Sequence, residues 1–170
     1  MSVTEIRSTH FILDTSNAII EYLQSVGTSD SPWGDWRVVP GHPAEDTGPD
    51  EKQVLIWVEY KRILEEEHRQ GGLIAVETDG TQIKGYLAQL SFEIGARATS
   101  KAGWLNELLE AETALRYKLT KPFGVPSTLA DLGLRTFEFG PEDERSPTQE
   151  RPHYERAWSL SCWVPVAEEV

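Results

Sequence analysis

A single cysteine, Cys162, stands in a chain of 170 residues. No disulfide can form within one molecule, and the expected folding environment is a reducing, intracellular one. Its neighbours Leu160, Trp163 and Val164 predict a buried, inert thiol rather than a reactive one. Long hydrophobic runs are also missing: Met1 to Phe11 has no basic start followed by an apolar stretch, and the longest unbroken apolar run is Val54 to Val58. Neither a secretion signal nor a membrane span is expected, and no membrane partner. Basic residues are few, with 16 Lys and Arg against 28 Asp and Glu and a formal net charge of −12. That balance works against the clustered cations needed to grip a phosphate backbone. Acidic charge on this scale serves solubility in any protein. It also suits a surface past which nucleic acid slides without sticking. No glycine-rich phosphate loop or nucleophile elbow occurs, and the four His are scattered, so the local motifs that announce chemistry are absent.

What the chain does contain is a series of amphipathic segments. Phe11, Ile12, Thr15, Ala18, Ile19, Tyr22, Leu23 and Val26 recur at helical spacing. They predict a helix from Thr9 or Asp14 to Val26, ended by Gly27, with Ser8, Thr9 and Asp14 competing as N-cap. Trp33 to Pro40 reads as a short strand and Gly41 to Asp50 as an exposed acidic loop. Gln53 to Tyr60 is apolar on both alternating faces, the signature of a covered, central strand. Lys61 to Gly72, with Glu65, Glu66 and Glu67 in a row, reads as a short solvated helix or a long loop.

Leu73 to Glu77 and Gln82 to Ala96 flank Thr78, Asp79, Gly80 and Thr81, and Asp-Gly at the tip signals a hairpin. The second arm is long enough to extend beyond the core and meet a neighbour. Thr99 or Ser100 can cap a second helix running to Leu119. Trp104, Leu105, Leu108, Leu109, Ala111, Leu115 and Leu119 share its one broad apolar side, and its acids come early and its bases late, as the helix dipole favours. Ser127 to Gly133 predicts one helical turn, and Leu134 to Gly140 and His153 to Val166 two strands. Pro141 to Pro152 reads as a mobile loop. The expected fold is a single α+β domain over residues 1–170, an antiparallel or mixed sheet with two main helices packed on one face. Several strands follow one another without a helix between them, which disfavours a doubly wound parallel fold.

Possible chemical groups weigh little against their plainer readings. Glu65 and His68 stand three apart, with Glu66 beside them, a spacing that metal bundles use only when other helices supply matching ligands. A solvated charge run accounts for them better. His42 with Glu45 and Asp46 is a second hard-metal pattern in a loop of ordinary acidic composition. His153, beside Tyr154 and Glu155, could be a general base but has no nucleophile near it in sequence. No catalytic residue, cofactor or metal is assigned. Six Trp carry more information, because aromatic residues with polar edges gather at interfaces as well as in cores. Trp57, Trp104 and Trp158 read as core. Trp33, Trp36 and Trp163, with Phe92 and Ile94 on the long arm, are the candidate interface residues.

In pattern and order the chain resembles the tail terminator proteins of long-tailed bacteriophages and related contractile particles. The resemblance rests on the opening helix Asp14 to Val26, the strand QVLIWVEY, the long strand IKGYLAQLSFEI leading into WLNELLEAETALRYKL, and the closing strand HYERAWSLSCWVPV. It implies a small protomer that forms a ring, usually a hexamer, which caps the tail tube and offers its other side to the head connector or stopper. DNA would pass through without specific binding, and the protein would reside in the virion neck after assembly in the host cytoplasm. The family has no catalytic residues to carry over. Lys61 to Gly72 and Pro141 to Pro152 look like expansions on a minimal version of that domain. A small intracellular hydrolase or transferase, or a ligand-binding module with a site between sheet and acidic loops, is the alternative reading.

Overall fold

Apolar stripes at helical and strand periods become two helices over one sheet in the computed structural model, which describes residues 3–26, 36–43, 54–67, 72–98, 103–120, 125–148 and 153–168. A single 3-10 turn, Ser8–His10, leads into α1 (Phe11–Val26). Then follow β1 (Trp36–Pro40), β2 (Val54–Glu67), β3 (Leu73–Val76), β4 (Gln82–Arg97), α2 (Trp104–Thr120), the single turn α3 (Ser127–Ala130), β5 (Arg135–Arg145) and β6 (Glu155–Ala167). Among the described residues the strands form one six-stranded sheet in the order β1-β2-β4-β6-β5, with β3 pairing β4. β1 runs parallel to β2 and every other pairing is antiparallel, so the sheet is mixed.

Both main helices lie on one face. Ile56 and Val58 of β2, Leu90, Phe92 and Ile94 of β4, and Trp158, Leu160, Cys162 and Val164 of β6 alternate inward at the strand period of two. They meet Ala18, Ile19 and Leu23 of α1 and Leu108, Ala111, Leu115 and Leu119 of α2. Polar tethers fix the helices. The Tyr22 hydroxyl donates to the Lys118 carbonyl oxygen at 2.9 Å, joining α1 to the end of α2. The Gln24 side chain accepts from the Val38 amide at 3.0 Å, so α1 satisfies part of the outer edge of β1.

Three expectations change. The acidic stretch after Tyr60 is neither helix nor loop, because β2 continues to Glu67. Register shifts between Tyr60 and Arg62 and between Ile63 and Glu65 let Tyr60 and Ile63 both pack on the core although they are three apart. Each bulge flips the parity that a period-two reading relies on. The second hairpin arm does not project outward, since β4 is the centre of the sheet, paired with β2 and β3 and along its length with β6. Residues 141–145 belong to β5 rather than to a loop, for a reason that lies in their ion pairs. The hairpin tip is as expected: the Glu77 and Thr81 backbones pair at 2.8 Å, the Gly80 amide donates to the Glu77 carbonyl at 2.9 Å, and Gly80 takes φ +88, a left-handed position that suits glycine.

Candidate functional site

The candidate interface residues do not stay together. Trp36 is 1% exposed and Phe92 and Ile94 are 0% exposed within the protomer, so none of the three can anchor a partner, and their assignment is corrected. The Trp36 indole N–H finds a partner far along the chain, donating to the Leu23 carbonyl at 2.7 Å. Phe92 and Ile94 are interior because β4 is central. Trp33 lies outside the described residues. Of the four that are described, Trp163 alone keeps partial exposure. It sits in β6 between Gln89 of β4 and Arg135 of β5, on the sheet face away from the helices.

That second face carries a buried charge cluster. Arg97 ends β4 and Glu155 begins β6, directly opposite in register. Both side chains are fully buried, with Arg97 Nη2 3.0 Å and Nε 3.1 Å from Glu155 Oε2. His42 Nε2 lies 3.0 and 3.2 Å from the two Glu155 oxygens, and Arg97 Nη2 donates to the Pro43 carbonyl at 3.4 Å. The His42 ring meets Trp57 edge-on at 4.9 Å. The cluster therefore fastens the segment leaving β1 onto the second face of the sheet. A pair desolvated this far gains little net stability, because Coulomb attraction repays the cost of leaving water. Burial, and then the Arg97 charge, hold His153 below its ordinary range, with Glu155 opposing them. Glu45 and Asp46, the acids near His42 in the hard-metal pattern set aside above, lie outside the described residues.

Further along the same face Lys61, Ser91, Glu93, Asp143, Arg145 and Ser159 line a pocket of about 230 Å³. Glu93 accepts from the Trp57 indole at 3.0 Å and from Arg145 at 2.8 Å. Burial alone would raise its carboxyl. The hydrogen bonds from Trp57 and Arg145, with the Arg145 charge, outweigh burial and hold it below the usual carboxylate range. Arg145 also donates to Asp143 at 2.8 Å.

The acids of β5 that resemble a loop in sequence are consumed by a neighbouring strand. Arg156 of β6 reaches Glu144 at 2.8 Å, Glu142 at 3.0 Å and Glu112 of α2 at 3.1 Å. The Trp158 indole adds a 3.0 Å bond to Glu112, and Arg116 pairs with the same carboxylate at 3.3 Å while lying over the Phe139 ring. One guanidinium thus lets three carboxylates sit on adjacent elements, and holds α2 to β5 and β6.

Exposed apolar side chains are the remaining feature. Leu105, Leu109 and Tyr117 stand 43%, 42% and 56% exposed on α2, Leu13 is 59% exposed on α1, and Leu64 is 44% exposed at a bulge of β2. Sequence reasoning placed Leu105 and Leu109 on the packed side. The core fully buries the narrower stripe Leu108, Ala111, Leu115 and Leu119, with Trp104 and Ala114 partly buried at its edge. Phe11, Ile12, Leu13, Ser16 and Tyr60, with Thr9 and His10, line an open groove of about 340 Å³ at the start of α1.

Glu65 and Glu66 are exposed in β2 and pair with Gln89 and Ala88, so they point to opposite faces; His68 lies outside the described residues. Among the described residues no group of three or more His, Cys, Asp or Glu is arranged to hold a metal. Burial pushes the Cys162 thiol up to about 12, and it is 0% exposed, in line with an inert core thiol. No described helix is long and apolar enough to cross a membrane. The chain matches no protein-family model and no curated protein.

Proposed function

We propose that this chain is a structural subunit of a phage-type virion that closes into a ring, hexameric as in the tail terminator family it resembles. The ring caps the tail tube, joins it to the head connector and leaves an acidic conduit for DNA. The observation that carries the reading is the spread of large exposed apolar side chains over α1, β2 and α2. A head-to-tail ring needs two different surfaces on each protomer, and separate patches supply them. Side chains about half exposed contribute on the order of 1 kcal/mol each when covered, while association costs about 4–15 kcal/mol. The patches therefore favour assembly on a template, the finished tube, over assembly in dilute solution. The net charge of −12 keeps DNA from adhering to the lumen.

Mixing the purified chain with assembled tail tubes tests this. Negative-stain images are expected to show tubes ended by a ring and no longer growing. Tubes that stay open and keep elongating would count against the reading.

The polar pocket around Glu93 and Ser159 favours a second reading, a small-ligand binding module. A ligand held there would raise the melting temperature by mass action, and substituting Ser159 by a bulky residue would abolish the shift.

A further inference from the structure

We infer that neighbouring protomers join by continuing the sheet, the outer edge of β5 pairing antiparallel with the outer edge of β2 beyond Val58, a contact that rests on the ring reading and says how the ring closes. Among the described residues β5 ends one side of the sheet, and β1 covers β2 only from Val54 to Val58. No described strand pairs with the outer side of Glu59 to Glu67 or of Arg135 to Arg145, and such edges are where a strand of another chain adds. Both main helices turn apolar residues toward these edges. Glu112 and Arg116 mark the side of α2 that reaches Arg156 and the Phe139 ring of β5. Leu105 and Leu109, both exposed, stand two turns before them on that same side. Gln24 marks the side of α1 that reaches the outer edge of β1, and the exposed Leu13 stands three turns before it. Leu13 also lines the groove that runs to Tyr60 on the edge of β2. Continuing the sheet keeps the helices on one face and brings α2 of one protomer beside α1 of the next, so Leu105 and Leu109 meet that groove.

Charge fixes the register. Opposite residues of an antiparallel pair share a face. The pairings with β4 and β6 put Glu59, Arg62, Glu65 and Glu67 of β2, and Glu138, Asp143 and Arg145 of β5, on the face away from the helices. With each bulge counted as one position, Arg62 opposite Asp143 of the neighbour sets Glu59 opposite its Arg145 and Glu67 opposite its Glu138. That gives two ion pairs and one like pair. Sliding two positions one way opposes Glu59 to Asp143 and Glu65 to Glu138; sliding the other way opposes Arg62 to Arg145 and Glu65 to Asp143. In both of those registers like pairs outnumber unlike ones. Pro141, with no amide to donate, falls within the register shift of β5, where it disturbs the pairing least. Two β2 edges cannot pair along their length instead, because β3 continues the line of β2 along β4 and would meet β1 of the mate. The contact joins two different surfaces, as a head-to-tail ring requires.

Paired cysteines test the register. Glu67 and Glu138 are both exposed, and Glu67→Cys/Glu138→Cys keeps the two ion pairs while removing the like one. Opposite residues of neighbouring protomers stand about 5 Å apart, within disulfide reach. Inside one protomer β4 and β6 separate the two strands by about 14 Å, too far for a bridge, and the native Cys162 is buried. The full-length variant is oxidised on tail tubes, with capping followed by negative stain and the fold by circular dichroism. A covalent ladder ending at six protomers is expected, at least tenfold above the yield of Glu67→Cys or Glu138→Cys alone. Arg62→Cys/Asp143→Cys, both exposed and at the other end of the contact, is expected to give the same ladder. Capped tubes that yield only monomer from both double variants would overturn the contact and leave the ring standing. Tubes that the unsubstituted chain leaves open would overturn the ring reading, and this contact with it.

Discussion

Thr15 sits on the core side of α1 with 0% exposure, and its hydroxyl has no hydrogen-bond partner among the described residues. A buried hydroxyl without a partner costs about 1–3 kcal/mol of desolvation. Thr15→Val keeps the shape and removes that cost, so urea denaturation is expected to show a stability gain of about 1 kcal/mol. A loss would mean that the hydroxyl is satisfied after all. Arg97 and Glu155 pose the opposite problem, because each is tolerable only through the other. Glu155→Ala leaves a buried guanidinium uncompensated and is expected to cost about 3–5 kcal/mol, whereas the double variant Arg97→Met/Glu155→Leu recovers most of it. Equal losses in the single and double variants would show that packing around the pair matters more than its charge. Neither residue was legible in the sequence: they stand 58 positions apart, and nothing local marks either as buried. Trp36 misled for the same reason, since the acceptor that lets its indole enter the core lies on α1.

Among the elements, those with an unbroken period were readable. α1, α2, the hairpin at Gly80, the first half of β2 and the length of β4 follow from stripes of 3.6 or 2 residues and one Asp-Gly turn. The second half of β2 was not readable, because its two bulges break the alternation just where the charge rises. Nor was the end of β5, where Pro141 and three acids in succession imitate a loop until Arg156 arrives from β6. β4 also contains a close approach that its sequence does not show. Gly95 pairs directly with Trp57, and a Cβ on Gly95 would overlap the indole ring. The hydrogen bond from the indole to Glu93 fixes that ring over the strand, so it cannot swing aside without losing a partner. Gly95→Ala is expected to destabilise the protein by about 1–3 kcal/mol, the usual cost of overpacking a filled site. Denaturant curves of the two proteins measure it, and a coincident midpoint would show that the indole is free to move.

At the level of the whole molecule, the single mixed sheet with two helices on one face was legible, because strands that succeed one another without intervening helices leave few other arrangements. The surfaces were less so. Helical periodicity names the apolar residues of α2 but not how many the sheet can cover, and the width of the core stripe, set by β4, β5 and β6, leaves Leu105, Leu109 and Tyr117 outside. The proposed role depends on those uncovered residues, on Leu13 and Leu64, and on the acidic charge, acting in an assembly of many copies. The most direct test is the native mass of the purified 19.1 kDa chain, alone and after mixing with tail-tube protein. The account predicts a hexamer, six times the protomer mass, in the mixture. A mass that never exceeds the dimer, with or without tube protein, would contradict it.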